Sequence, residues 1–198
     1  MTQTNRLANS NRMHKTLCQL IKDNLGRPLE SYCEVGVLEG DLAAAVLTTL
    51  KPRHMTLVDT WRPYPIGRPT PPSSEWDKHS LKTVLELEEM YGRVLERFPG
   101  YKQVDIHRVL SVDYANDCPS HFDVAFIDAD HRYETTKADV KAYWPLVKER
   151  GLLMGHDYNS RAEKSRGYWG VKRAVDEFAK SNGLEVNVAS HKIWWIKK

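Results

Sequence analysis

Two clusters of polar residues break into apolar segments of this 198-residue chain. The first is Asp128-Ala129-Asp130-His131, which ends the run Phe122-Asp123-Val124-Ala125-Phe126-Ile127. Carboxylates and an imidazole this close together are residue types that bind a hard cation, move protons, or do both. The second is Glu34-Val35-Gly36-Val37-Leu38-Glu39-Gly40-Asp41. Gly36 and Gly40 let a ligand approach the backbone closely, and the helix expected after them offers free N–H groups. Asp59 lies about twenty residues past this turn, where an acid commonly binds a ribose hydroxyl. Each group also has a plainer use. Gly36 makes a tight turn, Asp59 is an exposed loop acid, His131 is a hydrogen-bonded structural imidazole, and Asp130 and Asp157 cap helices.

The elements that must carry these groups follow from periodicity. Val124–Ile127 is too short for a helix, and its unbroken apolar character is what a parallel sheet buried on both faces requires. Further strands are expected at 31–37, 54–58, 104–109 and 151–155, the last ending in His156 and Asp157. Helices are expected at 14–25, 41–50 with Asp41 as N-cap, 81–98, 135–147 with Pro145 kinking or shortening it, and 170–181;. Residues 184–188 and 192–196 are expected to close the chain as a hairpin. The alternation predicts an α/β fold: one doubly wound, mostly parallel seven-stranded sheet, helices on both faces, and a C-terminal antiparallel hairpin. Ligands of such sheets sit outside the carboxyl ends of the strands, where Asp59 and Asp128 fall.

Residues 1–12 are polar and are expected to form a flexible tail, leaving one domain over 13–198;. The stretch Trp61–His79 holds Pro63, Pro65, Pro69, Pro71 and Pro72 with Trp61, Tyr64 and Trp76. No regular element tolerates that proline density, and a loop of this length is expected to work as a lid. The net charge of +3 is spread along the chain, too weak a bias for nucleic acid or an anionic membrane. Cys18, Cys33 and Cys118 are far apart in sequence, which suggests reduced thiols and a cytoplasmic setting. No apolar segment approaches the roughly 18 residues of a membrane span, and the first residues carry no signal-peptide core. Oligomeric state is open.

The motifs Glu34-Val-Gly-Val-Leu-Glu-Gly-Asp41, Val58-Asp59-Thr60-Trp61, Phe126-Ile-Asp-Ala-Asp-His-Arg-Tyr-Glu134 and Gly151-Leu-Leu-Met-Gly-His-Asp-Tyr158 resemble class I S-adenosylmethionine-dependent methyltransferases. More narrowly, the chain is similar to a small family marked by Asp-Ala-Asp-His-x-Tyr-Glu and Gly-His-Asp-Tyr. That family is akin to magnesium-dependent O-methyltransferases of macrolide sugars and, more distantly, to catechol-type O-methyltransferases. The resemblance implies S-adenosylmethionine as cofactor. Glu34 and Gly36, with Gly40 and Asp128 nearby, would take its methionine part, Asp59 its ribose, and Ser111 would lie beside its adenine. Relatives often carry Gly-Asp-Ser where this chain has Val109-Leu110-Ser111, so Trp61 is expected to cover the adenine instead. The same resemblance implies a metal held by Asp128, His156 and Asp157, with His131 as the general base. Magnesium prefers oxygen, whereas the imidazole of His156 suits manganese or iron better. The implied reaction is O-methylation of a hydroxyl on a small molecule, a sugar or natural product.

Two other functions compete. Asp128-Ala129-Asp130 has the Asp-x-Asp form with which a metal-dependent glycosyltransferase grips a nucleotide sugar, although the glycine turn and Asp59 suit S-adenosylmethionine better. A catalytically silent methyltransferase-like binding module is the other. Substrate choice is expected from the irregular segments 61–79 and 158–169. Trp194 and Trp195 alternate faces, so one is expected in the core and the other at the substrate mouth.

Overall fold

Five strands run parallel: β1 (Ser31–Val35), β2 (His54–Asp59), β3 (Val104–Arg108), β4 (Phe122–Ile127) and β5 (Val147–Gly155). The short β6 (Asn187–Val188) and β7 (Trp194–Lys197) complete one seven-stranded sheet in the order β3-β2-β1-β4-β5-β7-β6. β7 is antiparallel to both β5 and β6. This computed structural model describes residues 3–63, 82–159 and 170–198, with side chains from residue 11 onward. Every residue of the central strands β1 and β4 is buried, the polar Ser31, Glu34 and Asp123 among them, as expected for strands covered on both faces.

The helices are α1 (Gln3–Leu25), α2 (Asp41–Leu50), α3 (Val84–Arg97), α4 (Ser111–Asp117), α5 (Tyr133–Tyr143) and α6 (Val171–Asn182). Alternate strand residues feed two separate cores. On one face Tyr32, Leu57, Phe126 and Met154 pack with Leu17, Ile21, Val46 and Val94 from α1, α2 and α3. On the other, Cys33, Val35, Ala125 and Leu153 pack with Ala115, Val140 and Val175 from α4, α5 and α6. Trp194 is fully buried and Trp195 half-buried.

Several boundaries move from those expected. α1 extends back to Gln3, so the boundary at residue 13 falls inside a helix; its polar first turns carry no apolar stripe to announce them. α2 is preceded by Gly40 at φ 74° with no side-chain cap bond, and Asp41 instead pairs with Arg97 of α3. α3 starts at Val84 behind a Thr83–Glu86 capping box;. α5 stops before Pro145, and Val147 already belongs to β5. α4 is absent from the periodicity because only Ala115 of its seven residues is buried. Beyond Pro63 the expected lid lies outside the described residues, as do positions 160–169 of the second selector segment. Among the described residues no helix is long and apolar enough to cross a membrane.

Candidate functional site

The strand ends are stepped together by backbone bonds. The N–H of Gly36 donates to Val58 (2.9 Å), that of Asp128 to Val35 (2.8 Å) and that of His156 to Ile127 (3.2 Å). Gly36 has φ 88°, and a Cβ there would lie 2.3 Å from the Asp128 carbonyl oxygen. It is therefore needed first for the close approach of β1 and β4. The strand ends, with α1 and α5, enclose a cleft of about 790 Å³ lined by Glu34, Gly36, Asp59, Ser111, Asp128, His131, His156 and Asp157.

Gly40 and Trp61 stand apart from it. Gly40 adopts a left-handed φ, and a Cβ there would meet the Phe98 ring at 3.1 Å, so it serves the turn and the α3 packing. Trp61 is only 1% exposed. Its Nε1 donates to the Leu38 carbonyl (2.8 Å), and its ring sits 4.9 Å from that of Tyr91. The expectation that Trp61 covers the adenine is corrected: a large ring with its one polar atom satisfied is held in the core. Asp59 remains at the cleft, but its carboxylate already accepts from the N–H groups of Val37 (2.9 Å), Leu38 (3.0 Å) and Trp61 (2.9 Å). A carboxylate has roughly four acceptor directions, so it both pins the β1–α2 turn and keeps about one for a ligand.

At the β4–β5 end four side chains converge. His131 Nε2 lies 3.3 Å from Asp128 Oδ1 and 3.2 Å from Asp157 Oδ2. His156 Nδ1 lies 3.6 Å and 3.3 Å from the same two oxygens. Lys192 donates to the other Asp157 oxygen (2.9 Å). Burial opposes the charges of Asp128, Asp157 and His156, but their pairing outweighs it. Asp128 is held well below the usual carboxylate range by His156 and His131, and Asp157 is held at about 2. His156 is pushed up to about 10 by Asp128 and Asp157. Asp157 sits at φ 57°, a left-handed conformation that Asp tolerates better than most residues. Glu34 on β1 is 1% exposed and accepts from the Tyr32 hydroxyl (2.9 Å). Burial, reinforced by Asp128 and Asp59, pushes its carboxyl up to about 8.

The donor atoms of Asp128, His131 and Asp157 lie within 4.8 Å of one another. Two carboxylates and an imidazole fit a borderline cation such as manganese or iron. His131 belongs to that compact set, and the expected His156 stands beside it, with Nδ1 3.3 Å and 3.6 Å from the same two carboxylate oxygens. Asp130 turns away, because its carboxylate grips the Arg132 guanidinium and accepts from the Arg132 N–H (3.0 Å). Asp128 and Asp130 therefore do not converge as an Asp-x-Asp grip, and Asp130 orients the start of α5.

Three cleft residues were given no role by the sequence motifs. His14 of α1 is 8% exposed, and burial lowers its pKa. Its spacing from Leu17 and Ile21 on one apolar helical stripe is the signal that places it inward. Arg132 follows the motif acid that holds it. Asp139 of α5 accepts from Ser111 Oγ (2.5 Å), and nothing in its local sequence marks it.

A family profile described as a methyltransferase domain matches residues 33–158, more than half of the chain, from within β1 to just past the end of β5. The chain belongs to that methyltransferase family. It is an S-adenosylmethionine-dependent enzyme, and the acids Glu34, Asp59 and Asp128 that line the cleft suit a cofactor that carries positive charge. Solved structures share the fold. The O-methyltransferase NovP superposes with a TM-score of 0.68 at 19% identity, covering 94% of this chain and 79% of that one. The N-methyltransferase NodS of Bradyrhizobium japonicum WM9 gives 0.65 at 9% identity over 96% and 97%. A caffeoyl-CoA O-methyltransferase-like protein of Staphylococcus aureus gives 0.62 at 18% over 94% and 83%. No curated protein sequence matches the methyltransferase.

Proposed function

We propose that this methyltransferase acts on a hydroxyl of a small molecule, a sugar or natural product, with His131 as the base. The observation that carries the reading is the His131 ring, held by Nε2 between Asp128 (3.3 Å) and Asp157 (3.2 Å) inside the cleft. A nitrogen between two carboxylate oxygens is the protonated one, which makes Nδ1 the acceptor nitrogen of the neutral ring. A hydroxyl must give up its proton to attack a methyl sulfonium, and imidazole titrates near neutrality. His131 takes that proton at Nδ1, and the carboxylates of Asp128 and Asp157 stabilise the imidazolium formed. S-adenosylmethionine, when bound, supplies the electrophilic methyl. Glu34 and Asp128 face its positive charge, Gly36 allows its close approach, and Asp59 takes a ribose hydroxyl with its remaining acceptor direction. In-line positioning of hydroxyl and methyl contributes the rest of the rate.

A divalent cation, held by Asp128, Asp157 and His156, would lower the hydroxyl pKa further. The high pKa of His156, about 10, favours a second reading in which its imidazolium already supplies the positive charge and no metal is needed. The protein is read as a reduced-thiol, cytoplasmic enzyme of small molecules that meets neither nucleic acid nor membrane.

Calorimetry with S-adenosylmethionine, followed by turnover on a panel of sugars and phenols, tests the reading. His131→Ala is expected to slow methyl transfer by roughly 10²–10⁴-fold while cofactor affinity holds. An unchanged rate returns His131 to a structural role. Turnover that survives a strong chelator selects the metal-free reading, and turnover restored only by added manganese or magnesium selects the other.

A further inference from the structure

The buried acids of the described residues differ in how they are satisfied. Asp123 is fully buried but accepts from Arg27 and from the N–H groups of Glu30 and Ser31, with Lys148 at 3.2 Å. Glu34 has the Tyr32 hydroxyl. Asp139, 2% exposed, accepts only from Ser111 Oγ, at Oδ1. Among the described residues every fully buried side-chain nitrogen and oxygen has a partner. Oδ2 of Asp139 has none, so it is the part of this carboxyl that reaches open space, and the space Asp139 lines is the cleft.

The position along the cleft points to the occupant. The acids and imidazoles of β4 and β5 mark the reactive end. Asp59 at the end of β2 marks the ribose, so the base of an adenosine lies beyond it, towards the β3–α4 turn. The cleft lining there includes Val109, Leu110 and Ser111 of the turn with Thr135 and Asp139 of α5, Ser111 and Asp139 being in direct contact. The turn supplies apolar surface for a flat ring but no acid, and Asp130 is committed to Arg132. Asp139 is rigid as well as buried. Ser111 donates to it, and the Ser111 carbonyl accepts from the Tyr143 hydroxyl one turn further along α5 (3.0 Å).

We propose that Asp139 is the specificity-determining acceptor for the exocyclic amine of the cofactor's adenine, oriented by Ser111. An ionised carboxylate accepts from a 6-amino group and repels a 6-oxo group, so it selects adenine over hypoxanthine. The assignment rests on the use of S-adenosylmethionine. Its work is on the nucleobase, far from methyl transfer, so binding of demethylated ligands tests it without turnover.

The probes are S-adenosyl-L-homocysteine and S-inosyl-L-homocysteine, titrated calorimetrically at pH 8 into the full chain. The wild type is expected to favour the adenosyl ligand by about ten- to a hundredfold, the effect of leaving a buried acceptor facing a carbonyl. In Asp139→Asn the side chain can turn either its oxygen or its amide N–H₂ to the base, so the preference is expected to fall several-fold towards parity. A merely structural Asp139 would weaken both ligands equally, and an unchanged ratio in that variant overturns the proposal. The wild-type ratio stands as an independent check should the variant fail to fold, and equal wild-type affinities also overturn it. A wild type that binds neither ligand fails the cofactor assignment itself, and this one with it.

Discussion

Replacing Glu34 with Gln removes an ionisation that folding opposes. Glu34 is 1% exposed, and burial, with the like charges of Asp128 and Asp59, pushes its carboxyl from 4.5 up to about 8. In the unfolded chain it loses its proton near pH 4.5, whereas in the folded chain it keeps it to about pH 8. Between those values the unfolded state binds fewer protons, so stability falls as pH rises, and the loss is complete above the folded value. At about 1.4 kcal/mol per pKa unit, this group alone costs the ligand-free protein about 3 kcal/mol between pH 4.5 and pH 7. Gln cannot ionise and keeps an oxygen for the Tyr32 hydroxyl. The other ionisable groups are the same in both proteins, so the difference between E34Q and wild type isolates position 34. Urea unfolding at half-unit pH steps, extrapolated linearly to water, is expected to show that difference rising by about 3 kcal/mol in favour of E34Q between pH 4.5 and pH 7. A difference that stays flat would refute the argument that Glu34 is buried against its own charge.

Gly36→Ala would drive a Cβ to 2.3 Å from the Asp128 carbonyl oxygen at a φ of 88°. A loss of at least roughly 10 °C in melting temperature is expected, and a Tm within experimental error of wild type would show that β1 and β4 can separate freely. Trp61→Ala removes a ring packed on Tyr91 and is expected to cost about 3–5 kcal/mol of stability while leaving S-adenosylhomocysteine affinity nearly intact. A large loss of affinity with little loss of stability would put the ring back over the adenine. Asp157→Ala takes a carboxylate from His156, whose pKa is held at about 10. Its ring resonances, followed by NMR, should titrate at least a unit lower, and an unmoved midpoint would break the pairing scheme at the β4–β5 end.

Much of the fold was legible in the chain because the sheet is buried on both faces. A strand such as Val124–Ile127 must then be apolar at every position, and the polar residues that end it must lie at its carboxyl end. That logic located Asp59, Asp128, His131, His156 and Asp157, and all five line the cleft. It failed where the local signal was weak or had a second use. The α4 helix buries one residue in seven, too little for a period to show. Gly40 and Trp61 stood in the right motif but serve packing, because a glycine can be required by a neighbouring helix as well as by a ligand, and a tryptophan beside prolines can be core. Asp139 carries no mark of its own. It matters through Ser111, which is twenty-eight residues away in sequence and 2.5 Å away in space.

The order of apolar runs, glycines and terminal acids by itself determined a doubly wound sheet and the edge at which its terminal acids gather, since burial and backbone geometry act on each segment locally; the motifs at those strand ends carried the resemblance to class I methyltransferases. Only the tertiary structure decided which polar groups share charge. The carboxylates of Asp128 and Asp157 come from adjacent strands, and their 3.2–3.6 Å contacts with His131 and His156 arise from strand register. Register is a property of pairing between segments, and it is what sets His156 at about 10.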